Sequence, residues 1–292
     1  MADNFISKSS IELPSEVSSE IIQKTQEQSA VMRLAREIKL PGTGVSVPAI
    51  SSDPEAEWVT EGGKKPVKTA TLDKKLITPY KLAVIVPFSM EFVRDAANLY
   101  DALIARLPLA LAEKFDSTVF GGTTKPGENF DTFASCTAQD IETNAYAALV
   151  AADADIADHD GITNGYVISP KAKAILLSAV DGNKRPLFIN NVAEGAIPMI
   201  LGAPTYQSRG AYVAGTPDAV GVAGDWTKAV YGTVSGTSVT VSDQASLTLS
   251  DGTVLNLWQQ NMVAVRAEIE LGFRADLTVF DRLVKKATRK QV

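Results

Sequence analysis

Apolar and polar positions alternate with a period of two along Asn261–Gly272, which reads Asn-Met-Val-Ala-Val-Arg-Ala-Glu-Ile-Glu-Leu-Gly. The period places Val263, Val265, Ala267, Ile269 and Leu271 on one face of a strand and Ala264, Arg266, Glu268 and Glu270 on the other. A half-buried strand so late in the chain must pair with residues that came much earlier. A second pattern has helical spacing: Phe92, Ala96, Leu99, Leu103 and Leu107, continued by Ala110, Leu111, Phe115 and Val119. It predicts a helix over 90–120, about 45 Å long if unbroken, entered from a short apolar strand at Tyr80–Phe88. Ser89 stands at the N-cap position with Glu91 in the first turn, Pro108 predicts a bend, and Gly121-Gly122 a stop.

Flanking these elements, the pattern weakens. Residues 1–32 are rich in Ser, Glu and Gln; Ile21, Ile22 and Val31 suggest a short amphipathic helix with too little apolar surface for a core of its own. That reads as an arm ordered by a partner, or as a loose terminus. Pro41–Pro79 is dense in Pro, Gly and charge, which for so long a segment points to a functional extension. Its charges are segregated: Asp53, Glu55, Glu57 and Glu61 come first, then Lys64, Lys65, Lys68, Lys74 and Lys75. An extended hairpin would set an acidic strand beside a basic one, either to meet a partner or as a solvated ribbon pairing its own charges.

Beyond Thr137, helices and strands mix. Ile141, Ala145, Ala148, Leu149 and Ala152 suggest a helix, and Tyr166–Ile168 a strand running into Ser169-Pro170, a cap followed by Pro at the first helical position of a helix over 171–180. Stretches 229–243 and 245–257 are β-rich, with Ser235-Gly236 and Asp251-Gly252 as turn signals. The absence of strict βαβ alternation favours an α+β fold.

Composition narrows the chemistry. The 292 residues are 45% hydrophobic and 21% charged, as in folded domains, and no run approaches the roughly 18 apolar residues of a membrane helix. The polar start shows no secretory signal, so synthesis in the cytoplasm is expected. One cysteine, Cys136, and one histidine, His159 in an Asp-His-Asp turn, leave few ways to build a zinc site or a nucleophile–base pair, and no cofactor is called for. A net charge of −6 argues against tight nucleic-acid binding, though not against a container for DNA. The basic tail (Arg282, Lys285, Lys286, Arg289, Lys290) reads as a solvated helix face or frayed end. Gly121–Gly127 lacks the Gly-Lys-Ser/Thr ending of a phosphate loop and follows a helix instead of a strand.

Several blocks together resemble the tailed-phage major capsid proteins of the Hong Kong 97 type, in that family's order. They are Ala56-Glu57-Trp58-Val59 with Glu61-Gly62; Tyr80–Ala83 with Val86-Pro87-Phe88-Ser89-Met90-Glu91; Val167–Pro170; Leu201-Gly202-Ala203-Pro204; Gly224-Asp225-Trp226; and Asn261–Gly272. The resemblance implies an N-terminal arm (1–32), a peripheral domain (33–45 and 80–136) with the spine helix 90–120, an extended loop (46–79), an axial domain (137–257), and the closing strand with the C-terminal segment (258–292). It implies a non-enzymatic protein that assembles with itself into hexamers and pentamers, forming the icosahedral head of a virion around double-stranded DNA, built in the host cytoplasm. A portal and decoration proteins are the further partners implied. A separate scaffolding protein, or none, is expected, because no long scaffolding extension precedes the arm and Met1 speaks against a removed prosegment. Glu57, Trp58, Glu61, Lys64, Lys65 and Lys68 are the candidate inter-subunit contacts. Some family members cross-link a loop lysine to a distant asparagine; charge pairing explains these lysines equally well, and cross-linking is not expected.

Two other readings remain. Bacterial encapsulin shells share this fold but tend to start with a helix in place of an extended arm. A carboxylate-based hydrolase such as a glycosidase would need two carboxylates about 5 to 9.5 Å apart, and the acidic residues are too scattered to nominate a pair.

Overall fold

The computed structural model describes residues 29–52, 57–61, 64–65, 67, 71–95, 97–181, 183–188, 197, 199–249 and 251–286. Helix α1 (Ala30–Leu34) leads to strand β1 (Arg36–Lys39), and then β2 (Val45–Ser52) pairs antiparallel with β3 (Thr71–Ile77) in a projecting hairpin. After β4 (Tyr80–Ser89) come α2 (Met90–Asp95) and the long α3 (Ala97–Val119). The middle of the chain supplies β5 (Thr137–Asp140), α4 (Ala145–Asp158), β6 (Gly165–Ile168), α5 (Pro170–Ser178), β7 (Met199–Ile200), β8 (Ala203–Gln207) and β9 (Asp218–Gly224). It closes with β10 (Ala229–Thr233), β11 (Ser238–Ser242), β12 (Ser246–Thr248), β13 (Val254–Asn256), β14 (Met262–Ala275) and β15 (Phe280–Lys285).

Strand β14 organises the first sheet. It pairs antiparallel with β4 from Met262↔Ser89 to Leu271↔Tyr80, while β10 and β11 pair with it at 271–275 and 264–268. Leu271 faces Tyr80 and Thr233 at once, so β10 and β11 lie in succession on the edge opposite β4. Ser235-Gly236 therefore separates two strands that follow one another along β14 and turns no hairpin, whereas Asp251-Gly252 does close the small hairpin β12–β13. On β14 the face from Val263 to Leu271 is buried as the alternation requires, but Met262 and Ala264 on the other face are buried too. Leu255 and Leu257 of the β12–β13 excursion pack over them, a tertiary cover that period-two reasoning does not contain.

The second sheet runs β5-β15-β9-β6-β8-β7. Its strand β15 carries Arg282 and Lys285, so these are not a helix face; Arg289 and Lys290 lie outside the described residues. One apolar cluster joins both sheets, with Phe133 at its centre in ring contact with Trp226, Phe273 and Phe280.

Helix α3 runs through Pro108 without a break, and its 23 residues span about 34 Å. Its buried stripe is Tyr100, Ile104, Leu107, Leu111, Phe115 and Val119; Leu103 is half-buried and Ala110 exposed. Apolar residues occupy both diagonals, 99/103 and 100/104, and the core takes the second. Ala96 and the side chain of Leu99 lie outside the described residues. Ser169 caps α5 by accepting from the Ala172 N–H at 3.2 Å with Pro170 following, as expected, but the helix ends at Ser178. Asn144 caps α4 by accepting from the Ala147 N–H at 3.1 Å, so that helix starts at Ala145 instead of near Ile141.

Candidate functional site: an anchored hairpin and its surroundings

The hairpin β2–β3 emerges from a tightly specified root. Arg274 on β14 donates from Nε to the Leu76 carbonyl at 2.8 Å, from Nη1 to Asp131 Oδ1 at 2.7 Å and from Nη2 to Asn129 Oδ1 at 3.3 Å. Lys75 adds a bond from Nζ to the Ala275 carbonyl at 3.0 Å. A planar guanidinium with several donors in fixed directions suits such a junction, where three segments must keep one mutual orientation.

Two glycines make the close approach possible. At Gly272 a Cβ would stand 2.6 Å from Ile77 Cγ2 and 2.9 Å from the Thr78 carbonyl, so a side chain here would push the root off the sheet. That is the physical content of a closing strand that runs into Gly. Gly44, at φ +86°, lets the entering chain turn against the Ile77 carbonyl, where a side chain would collide.

The tip contrasts with the root. Glu57, Trp58, Val59, Thr60, Glu61, Lys64, Lys65 and Val67 are all exposed, Trp58 completely so. Five of the six expected contact residues are thus exposed in the segment that joins β2 to β3; Lys68 lies outside the described residues, as do Asp53 and Glu55. The paired strands are not an acidic strand beside a basic one. β2 reads Val-Ser-Val-Pro-Ala-Ile-Ser-Ser and carries no charge opposite Lys74 and Lys75, because the acidic residues fall beyond it toward the tip.

A second junction was missed by sequence reasoning. Asp116 on α3 is buried and accepts from Ser29 Oγ at 2.6 Å, Ala30 N at 3.0 Å, Val31 N at 3.4 Å and Ser208 Oγ at 2.9 Å. Burial raises its pKa, and the four donors hold it down in part. The last residues of the segment read as an arm, Ser29–Met32, are therefore buried against the long helix, while residues 1–28 lie outside the described residues. Arg106, Glu113 and Arg209 rim a groove of about 720 Å³ that reaches Asp116. On another side of α3, Lys114, Phe115 and Thr118 line a more apolar cavity of about 350 Å³ with Tyr80, Leu82 and Phe130.

The remaining titratable groups serve the body. Asp281 is buried in β15, accepts from Gln139 Nε2 at 2.8 Å, and is pushed up to about 7 by burial and then by neighbouring Asp155. Asp281 is fully enclosed, whereas Asp155 on α4 is half-buried. Cys136 is buried, its thiol pushed up to about 12 by burial. His159 ends α4 on the surface with Nδ1 2.8 Å from the Asp155 carbonyl, and no cluster of metal-ligating residues occurs among the described residues.

Residues 11–280 match the model of the phage capsid family. The chain is 31% identical over 283 residues to the "Probable major capsid protein gp17" of Mycobacterium phage D29, covering 90% of this chain and 86% of that protein. To the major capsid protein of Staphylococcus phage 80alpha it is 25% identical, covering 93% and 84%. Among solved structures, one from Gordonia phage Cozz superposes with a TM-score of 0.75 at 19% identity, covering 89% of this chain and 87% of that one. These relatives favour neither an encapsulin shell nor a hydrolase.

Proposed function

Because the chain belongs to the phage capsid family and is a major capsid protein with the Hong Kong 97-type fold, part of the virion shell built from many copies, we propose how its copies are joined. The hairpin β2–β3 lies across a neighbouring subunit and straps successive copies into hexamers and pentamers, which close into an icosahedral head around double-stranded DNA. The observation that carries this is the contrast within the hairpin: a root held by Arg274, Lys75 and Gly272, and a tip whose described residues stand in solvent. A chain segment with so little contact of its own keeps an extended form at an entropic cost that a partner surface can offset.

A projection at one place and its receiving surface at another make a head-to-tail contact, which closes into rings when the rotation allows. The net charge of −6 suits a wall that encloses DNA without holding it. In this scheme α3 is the spine, the sheet around β14 is peripheral, and the sheet around β15 lies toward the symmetry axes. Assembly takes place in the host cytoplasm, with a portal and decoration proteins as further partners.

The triple variant Lys64→Glu, Lys65→Glu, Lys68→Glu tests the strap. Each exposed pair contributes only about 0 to 1 kcal/mol, yet the contact repeats around every ring. The expected result is a folded, soluble subunit that fails to form stable shells, and wild-type shells that loosen as salt rises. Normal shells from the triple variant, with unchanged salt sensitivity, would sink the idea.

A further inference from the structure

On the premise that the hairpin lies across a neighbouring copy, we propose that Trp58 is a knob that inserts into the cavity between α3 and β4 of that neighbour. The cavity measures about 350 Å³, which falls within the usual range of ligand pockets, and Tyr80, Leu82, Phe115 and Phe130 give it an apolar, largely aromatic floor. Trp58 is the matching object: a large aromatic side chain, 105% exposed, on a segment with no core of its own. An indole left in water gains far more from such a site than from solvent.

Charge agrees with shape. Lys81 and Lys114 stand on the cavity rim, and Trp58 is flanked in sequence by Glu57 and Glu61. Lys81 already lies 3.2 Å from Glu270, so Lys114, exposed on the helix, is the principal partner for an incoming carboxylate. The approach must be from another copy. Tyr80 and Leu82 belong to the strand that directly follows the hairpin, so the cavity sits at the hairpin's own root. The eight residues of β2 carry the chain about 25 Å away from that root before the tip begins. Knob and socket at opposite ends of one element cannot meet within a subunit, and in a ring each copy both gives and receives.

The test places paired cysteines in the full chain and assembles shells. Val59→Cys keeps Trp58 in place and is combined with Thr124→Cys beside the cavity, or with Glu113→Cys in the polar groove on the other side of α3. Diamide is the oxidant, and a non-reducing denaturing gel is the readout. A ladder of covalent oligomers from the Thr124 pair, absent from the Glu113 pair, is the expected result. A ladder from Glu113 instead, or from neither in shells that form normally, overturns the socket while leaving the strap in place. Normal shells from the lysine-to-glutamate triple variant would overturn the strap itself, so the two failures are distinguishable. Should the cysteine variants not assemble, Trp58→Ala and Trp58→Phe decide. The subunit concentration needed for shells should rise about tenfold or more for Ala and less than about threefold for Phe; equal rises overturn the proposal.

Discussion

Charged side chains do opposite work in the body and at the hairpin tip. In the body Asp116 and Asp281 are enclosed and Arg274 is half-buried, and each holds together segments distant in sequence. At the tip Glu57, Glu61, Lys64 and Lys65 are exposed. A buried charge is costly to strip of a partner, whereas an exposed one is nearly neutral for folding. The difference separates residues that fix the shape of one subunit from those available to join two.

The sharpest way to break that division is at Asp116. Asp116→Ala leaves the donors of Ser29, Ala30 and Ser208 unsatisfied in a buried site, and should destabilise the subunit by about 3 kcal/mol in chemical denaturation. Release of residues 29–32 from α3 should accompany it as faster amide exchange there.

Next comes pH. Asp281 is raised to about 7 in the folded state, above about 3.9 when unfolded. The folded state then binds more protons than the unfolded one between about pH 4 and 7, so stability falls as pH rises through that window and levels off above it. Asp116, raised by burial, and His159, raised by its bond to the Asp155 carbonyl, contribute changes of the same sign. The lowered carboxyls of Asp140, Asp218 and Asp251 act oppositely, below about pH 4. Denaturation midpoints at pH 5 and 8 should differ, and Asp281→Asn should flatten part of the difference; an unchanged slope would remove Asp281 as a source.

Arg274→Ala should cost about 2 kcal/mol by removing the charge partner of Asp131, which then keeps only the Ala275 N–H, and by freeing the Leu76 carbonyl. Its more specific effect is hairpin orientation, read as assembly lost beyond what the stability change explains. The smallest stability effect belongs to the lysine-to-glutamate triple variant, within about 0.5 kcal/mol, although its effect on shells is the largest.

Much of this was legible in the chain. The alternation at 261–272 carried its strand, its early partner and one buried face, and Ser169-Pro170 carried a helix start, because both are local patterns with a local physical cause. The exposure of the tip residues was legible through charge and poverty in core residues. Asp116 was not: a single Asp on a helix reads as solvated until Ser29 and Ser208, 87 and 92 residues away, close over it. Strand β15 was hidden for a related reason. Phe280-Asp281-Arg282-Leu283-Val284-Lys285 puts a buried Asp inside the sheet, which no hydropathy period anticipates.

The position of β14 and β15 in the chain also sets a clock. β14 is a central strand of one sheet, paired with β4 from far earlier in the chain, and β15 sits between β5 and β9 in the other. A ribosome must therefore finish nearly all of the polypeptide before either sheet gains its middle strand, and pairings of such long range form slowly. Until then Arg274 and Gly272 have not arrived, and the hairpin has no base from which to project. If the hairpin is the strap proposed above, incomplete or truncated chains lack the means to bind a growing lattice, and completion of synthesis licenses incorporation.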